Sequence, residues 1–301
     1  MLRLVILFCV AVGTLGAQAS APATTLRFGL LPAESAIPMI VAAEKGFFAA
    51  RGLKVELTMF QSPLDRNIAL QTGKADGAIA DVMTALAYRE AGLDVVAVSD
   101  INEDFKLLAS PGSGVTKVAD LADKDVSVVP NFALEYVMDK FAAQAGIRWK
   151  LVNIPSIPAR FEALLANRLT AVVFTEPQAT VLAARGAKVL ASSKTAGLQV
   201  GCQLFTAAYL RDHPDAVRAF VAACDAAVDW MNSQPAASYA PLLTKWTFPD
   251  AVASYLDGTK YRHARAIDPA AFADVLAWSK AKKLVTKDAR LDQTTSTAYL
   301  P

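Results

Sequence analysis

Residues 47–81 read FFAARGLKVELTMFQSPLDRNIALQTGKADGAIAD, and residues 141–175 read FAAQAGIRWKLVNIPSIPARFEALLANRLTAVVFT. Laid together at an offset of 94, they match without a gap. Phe47/Phe141, Gly52/Gly146, Ser62/Ser156, Arg66/Arg160 and Leu70/Leu164 are five of eight identical pairs. At an offset of 98, Phe28 to Pro32 falls on Val126 to Pro130. Each copy reads as a helix end closed by glycine, a strand, a second helix and a short buried strand. The register predicts two lobes with the same open α/β topology. In such sheets a ligand sits beyond the carboxyl ends of the strands.

The same alternation extends outward. Strands are expected at Leu26–Leu31, Lys54–Met59, Gly77–Ala80, Val95–Ser99, Val126–Val129, Trp149–Asn153, Ala171–Phe174 and Lys188–Ala191. Helices are expected between them, the first running from Met39 to Ala50. Beyond about residue 207 the chain reads as helical, with Pro214 to Asn232 and Pro269 to Ala281 the longest runs. Strands alternating with helices imply mostly parallel sheets with helices on both faces.

The 301 residues are 54% hydrophobic and 19% charged, with a net charge of +2. That excludes a disordered chain and a nucleic-acid binder working through bulk charge. Three Cys and two His leave little for a metal site, and nothing in the pattern calls for a cofactor. Met1 to Ala19 reads as a signal peptide: Arg3, an apolar run from Leu4 to Val12, and the cleavage signal Ala17-Gln18-Ala19. Cys9 lacks the small residues that precede a lipoprotein cysteine, so a soluble periplasmic protein is expected. Cys202 and Cys224 remain, and spacing alone leaves both a disulfide and two free thiols open.

Several motifs resemble the periplasmic solute-binding proteins of ABC importers, in the branch of nitrate, sulfonate, taurine and thiamine-pyrimidine binders. They are Ala43-Glu44-Lys45-Gly46-Phe47-Phe48 with Gly52-Leu53-Lys54-Val55-Glu56, Asp65 to Leu70 followed by Gly73 and Asp76-Gly77, Asp120 to Lys124, and Glu176-Pro177 after a strand. The resemblance implies a two-lobed type II fold. Lobe 1 would be 20–105 with 205–301 and lobe 2 would be 106–204, joined by crossing strands at Phe105–Ala109 and Gln203–Ala207. It implies one small solute, hinge closure around it, and a permease in the inner membrane as the partner of a monomer. A two-lobed sensor for a membrane receptor would share these features.

The strand ends and helix starts supply the site expectations. Ser62, Asn131 and Ser156 stand at helix starts, as N-caps or as ligand donors. Asp81 and Glu176 have the same two readings: a cap or dipole compensation, and a carboxylate for a ligand amine or ring N–H. Glu34 follows the first strand, and Thr175 neighbours Glu176. Arg66 and Arg160 read first as a solvated face or salt-bridge partners, and second as ligand contacts. Phe132, Tyr136 and Phe60 read as core packing before stacking. Acidic candidates outnumber basic ones, which points to a polar heterocycle or amine-bearing solute over a small inorganic anion.

No nucleophile elbow, phosphate loop or dinucleotide fingerprint appears. The resemblance reaches thiamine-pyrimidine synthases, but the cysteine-rich stretch and additional histidines expected in them are missing. The expectation from sequence is therefore that the chain is not an enzyme.

Overall fold

The computed structural model describes residues 24–301; the leader expected at 1–19 lies outside them. The strands in chain order are β1 (Thr24–Leu30), β2 (Leu53–Met59), β3 (Gly77–Asp81), β4 (Val95–Asp100), β5 (Lys106–Ala109), β6 (Asp125–Ser127), β7 (Lys150–Val152), β8 (Ala171–Phe174), β9 (Lys188–Ser192) and β10 (Gly201–Thr206). The helices are α1 (Ile37–Glu44), α2 (Pro63–Gln71), α3 (Val82–Glu90), α4 (Ala133–Ala145), α5 (Ile157–Leu165), α6 (Gln178–Ala184), α7 (Ala207–Asp212), α8 (Pro214–Ser233), α9 (Ala240–Thr244), α10 (Val252–Leu256) and α11 (Pro269–Ala281).

Two five-stranded sheets result, ordered β2-β1-β3-β10-β4 and β7-β6-β8-β5-β9. In the first, β1 is parallel to β2 and β3, and β10 runs antiparallel between β3 and β4. In the second, β6 is parallel to β7 and β8, and β5 runs antiparallel between β8 and β9. Each sheet's antiparallel strand follows a crossing from the other sheet. The chain crosses in the stretches 101–105 and 193–200, and β10 is already paired in the first sheet at Gly201. The return therefore comes a few residues ahead of the 204/205 boundary read from sequence.

The repeat is visible in the backbone. Helices α2 and α5 begin and end 94 residues apart. Ser62 Oγ accepts from Asp65 N–H at 3.2 Å, and Ser156 Oγ accepts from Ala159 N–H at 3.3 Å. Gly52 (φ 67°) and Gly146 (φ 65°) both take the left-handed conformation that ends the preceding helical turn. The first helix is shorter than its periodicity suggests. It ends at Glu44 because Gly46 turns left-handed, with φ 75°.

The first lobe's core is built on aromatic contacts. Phe220 of α8 packs against Phe28, Phe48 and Phe205, at centroid distances of 4.7, 5.2 and 5.8 Å. β3 has to lie flat beneath these rings. A Cβ on Gly77 would stand 2.7 Å from the Phe205 ring and 2.9 Å from the Phe28 ring. Gly77→Ala should therefore cost about 2 kcal/mol of overpacking. Urea denaturation measures this, and a loss under about 0.5 kcal/mol would show that the rings yield freely.

Helix α11, in the first lobe's C-terminal segment, reaches α4 in the second. Tyr136 Oη donates to Asp274 at 2.6 Å, Trp278 Nε1 donates to Asp139 at 2.9 Å, and Lys282 pairs with Glu135 and Asp139 at 2.7 and 2.9 Å. Tyr136 is thus a buried packing residue, as expected. Cys202 and Cys224 are free and buried, and burial pushes both thiols well up.

Candidate functional site

The loops after β1 and β3 meet the starts of α4 and α5 and the end of β8 across a cleft of about 760 Å³, its open mouth included. The lobes touch around it. Glu34 N–H donates to the Glu176 carbonyl at 2.7 Å, Ile157 N–H to the Gln61 carbonyl at 3.1 Å, and Gln178 Nε2 to the Pro32 carbonyl at 2.5 Å.

Six of the expected residues line this cleft: Glu34, Arg66, Asp81, Phe132, Arg160 and Thr175. Glu176 does not. It faces an adjoining chamber, where Lys106 pairs with its Oε1 and Thr180 N–H donates to its Oε2 at 2.9 Å. Ser62 and Ser156 act as caps off the cleft wall. Asn131 is exposed, with φ 69°, and its N–H donates to Glu135. Phe60 packs on the core.

Both arginines depart from the first reading made of them. Each is only 2% exposed, and neither has an acidic group within salt-bridge range among the described residues. Helices α2 and α5 turn these side chains inward, over the strand ends, rather than to solvent. Arg66 donates from Nε to Asn67 Oδ1 at 2.6 Å and from a terminal nitrogen to the Ile79 carbonyl. Burial lowers its pKa, and the nearby charge of Asp81 raises it. Arg160 donates to the Ile154 carbonyl at 2.8 Å and lies 4.7 Å over the Phe174 ring. Its Nε has no partner among the described residues, and burial brings its pKa down to about 10.

The repeat explains the difference. Asp81 ends β3 near Arg66, and the residue 94 positions on is Thr175, an uncharged hydroxyl that donates to the Glu176 carbonyl at 2.8 Å. Asp81 Oδ1 accepts from Thr84 N–H at 2.8 Å, capping α3, and its Oδ2 accepts from Ala133 N–H at 3.2 Å, at the start of α4 in the other lobe. One carboxylate therefore serves two helix N-termini and compensates one guanidinium.

Glu34 is 4% exposed and, among the described residues, has no cation in hydrogen-bond range. Burial pushes its pKa up to about 8; the hydroxyl of Tyr255, which donates to Oε2, acts against this, and Glu176 adds to it. Glu103 and Gln178, which were not expected, also line the cleft. Glu103 Oε1 accepts from Val200 and Gly201 N–H at 2.5 and 2.9 Å. Burial raises its pKa to about 7 against those two bonds. Four buried side-chain atoms without a partner among the described residues belong to residues that wall the cleft: Glu34 Oε1, Glu103 Oε2, Gln178 Oε1 and Arg160 Nε. A buried polar atom left unpaired costs about 1–3 kcal/mol, so these four atoms concentrate an energetic cost in the residues that wall the cleft.

Comparison with known proteins agrees with this architecture. The model of the family described as NMT1/THI5 like matches residues 34–238. The alkanesulfonate-binding protein SsuA of Xanthomonas axonopodis pv. citri is 20% identical, with a TM-score of 0.79 over 92% of this chain and 99% of that one. The periplasmic nitrate-binding protein NrtA of Synechocystis PCC 6803 is 14% identical, with a TM-score of 0.79 over 92% of this chain and 87% of that one. At these identities they show the fold, a two-lobed periplasmic-binding-protein architecture. A curated relative from Uromyces fabae, named 4-amino-5-hydroxymethyl-2-methylpyrimidine phosphate synthase, is 25% identical over 225 residues, 68% of this chain and 65% of the relative. The chain thus spans a little under two thirds of that protein's length. Its name corrects the expectation that the chain is not an enzyme. That expectation rested on missing local motifs, whereas a two-lobed cleft can assemble reactive groups from several strand ends without any contiguous motif.

Proposed function

The chain belongs to the NMT1/THI5-like family, and from that premise we propose that it is the extracytoplasmic solute-binding component of an ABC importer. On this reading it acts in the periplasm as a monomer. It captures one small polar organic solute between the lobes and hands it to the inner-membrane permease, with the 101–105 and 193–200 crossings as the hinge. The observation that carries the reading is Arg160: a buried guanidinium on the cleft wall whose repeat mate has a carboxylate nearby and which itself has none. A solute with an acceptor or anionic group supplies what Arg160 lacks. Glu34, Arg66, Asp81, Phe132 and Thr175 would shape the rest, with Ser62, Asn131, Ser156 and Glu176 supporting the walls.

Native mass spectrometry of protein purified without refolding should find a retained solute of a few hundred daltons at most. Arg160→Met should weaken its binding by about 10- to 100-fold in calorimetry, the worth of a charge-assisted hydrogen bond. Unchanged affinity would remove Arg160 from the site.

The synthase name of the curated relative favours a second reading, chemistry on the captured solute in the same cleft. Incubating the identified solute with the protein and following its mass separates the two readings. A changed mass favours the synthase, and an unchanged one favours the carrier.

A further inference from the structure

Helix α4 is held to the first lobe at its start and along its length. Its first residues, Ala133 and Leu134, wall the cleft, and Ala133 N–H donates to Asp81 at 3.2 Å. Over the next two turns α4 meets α11. Tyr136 Oη and Lys140 Nζ both donate to Asp274, at 2.6 and 2.5 Å. Lys282, just after α11, lies 2.7 Å from Glu135 and 2.9 Å from Asp139, and Trp278 Nε1 donates to Asp139 at 2.9 Å. The Tyr136 and Trp278 rings meet edge to face, with centroids 5.6 Å apart.

The two helices are complementary in charge. Glu135 and Asp139 stand one turn apart on α4, a like-charged spacing that destabilises a helix by itself. Lys282 answers both from the other lobe, and α11 in return offers Asp274 to Lys140. Each partner is anchored in its own lobe. Glu135 also accepts from Asn131 N–H at 2.6 Å, and Asp139 from Trp149 Nε1 at 3.0 Å. Helix α11 packs on α3 with Phe272 and Val275 buried, and Thr286 beyond it donates to Glu90 of α3 at 2.5 Å. The groups are thus preorganised, and their bonds join protein to protein. A solute in the cleft is not needed to form them.

We propose that α11 and α4 form a clasp that holds the lobes together before any solute arrives, so that closed is the resting arrangement of the empty protein and opening is the costly step. The proposal goes beyond solute capture. It concerns how the lobes move, and it holds whether the cleft carries its solute or converts it. Because α4 also walls the cleft, releasing the clasp carries Phe132, Ala133 and Leu134 away from the first lobe's half of the site.

The test is the distance between the lobes, read by pulsed electron paramagnetic resonance in protein whose native mass spectrum shows no bound molecule. Spin labels go on Leu64→Cys of α2 and Ala159→Cys of α5, both at exposed positions. The two helices begin beside each other at the cleft, where Ile157 N–H meets the Gln61 carbonyl at 3.1 Å. Cys202 and Cys224 are buried and should stay unlabelled. The clasped protein should give one short-distance population. Tyr136→Phe, Trp278→Phe and Lys282→Met together keep aromatic rings at the contact and remove three donors. They should add a longer-distance population, raising the open-to-closed ratio at least about tenfold. If the triple variant does not fold, Lys282→Met alone, at a side chain 34% exposed, takes its place and should raise the ratio severalfold. A clasped protein that is mostly open in solution overturns the proposal, because the contacts are then too weak to hold the lobes. Distances that the variants leave unchanged overturn it too, since α4 and α11 would then be a fixed pivot. Either result leaves solute capture standing.

Discussion

The solute-free protein should lose stability as pH rises from 5 to 8.5, and Glu34→Gln should remove most of that loss. The sign follows from the burial of Glu34. Unfolded, the carboxyl titrates near 4.5; folded, burial places it at about 8. Between those values the folded state holds a proton that the unfolded state has released, so raising the pH favours unfolding. The contribution is complete below about 4.5 and gone above about 8. One pH unit of displacement is worth about 1.4 kcal/mol, so the loss should be on the order of 2–4 kcal/mol across the window. Glu103, raised to about 7, adds in the same direction and accounts for the remainder in the variant. Urea denaturation at pH 5, 6.5 and 8.5 provides the measurement. A flat profile for the wild type, or an undiminished slope in Glu34→Gln, would show that Glu34 is ionised in the folded protein.

The repeat made much of this architecture legible before any coordinates. A period of 94 residues aligned the serine caps, the closing glycines and the paired arginines. Each of these is set by local backbone chemistry that sequence displays directly. What the sequence did not display depends on contacts between the lobes. Gln178 looks like any first-turn polar residue until its amide reaches Pro32, 146 positions away. Glu103 lies in an irregular crossing with no periodicity to place it, and the backbone N–H groups of Val200, at the end of the other crossing, and Gly201, at the start of β10, orient its carboxyl. The inward turn of Arg66 and Arg160 was missed for a related reason. On α2, which also exposes Leu64 and Ile68 at 44% and 53%, composition does not tell the inner face from the outer. The expectation against catalysis failed differently, because absence of a motif carries information only for folds that keep their chemistry in one.

Arg66→Met should be among the most destabilising single changes in the protein, at about 3 kcal/mol. The methionine restores most of the packing volume, so the loss is mainly polar. The Ile79 carbonyl loses its donor, Asn67 Oδ1 loses another, and Asp81, 6% exposed, loses the guanidinium that offsets its charge. Asp81 cannot escape to water, because it is tied to Thr84 in its own lobe and to Ala133 across the cleft. The charge component can be isolated with Asp81→Asn. If Arg66 mainly compensates Asp81, the double variant should cost about 1 kcal/mol less than the sum of the singles. Arg160→Met offers the internal comparison, since its repeat position has Thr175 where the other lobe has Asp81. Removing Arg160 strands no carboxylate and should cost the solute-free protein clearly less than removing Arg66. Equal losses at the two arginines, with additive behaviour at Arg66 and Asp81, would mean that the two guanidiniums serve packing alone and that the asymmetry of the repeat has no energetic content.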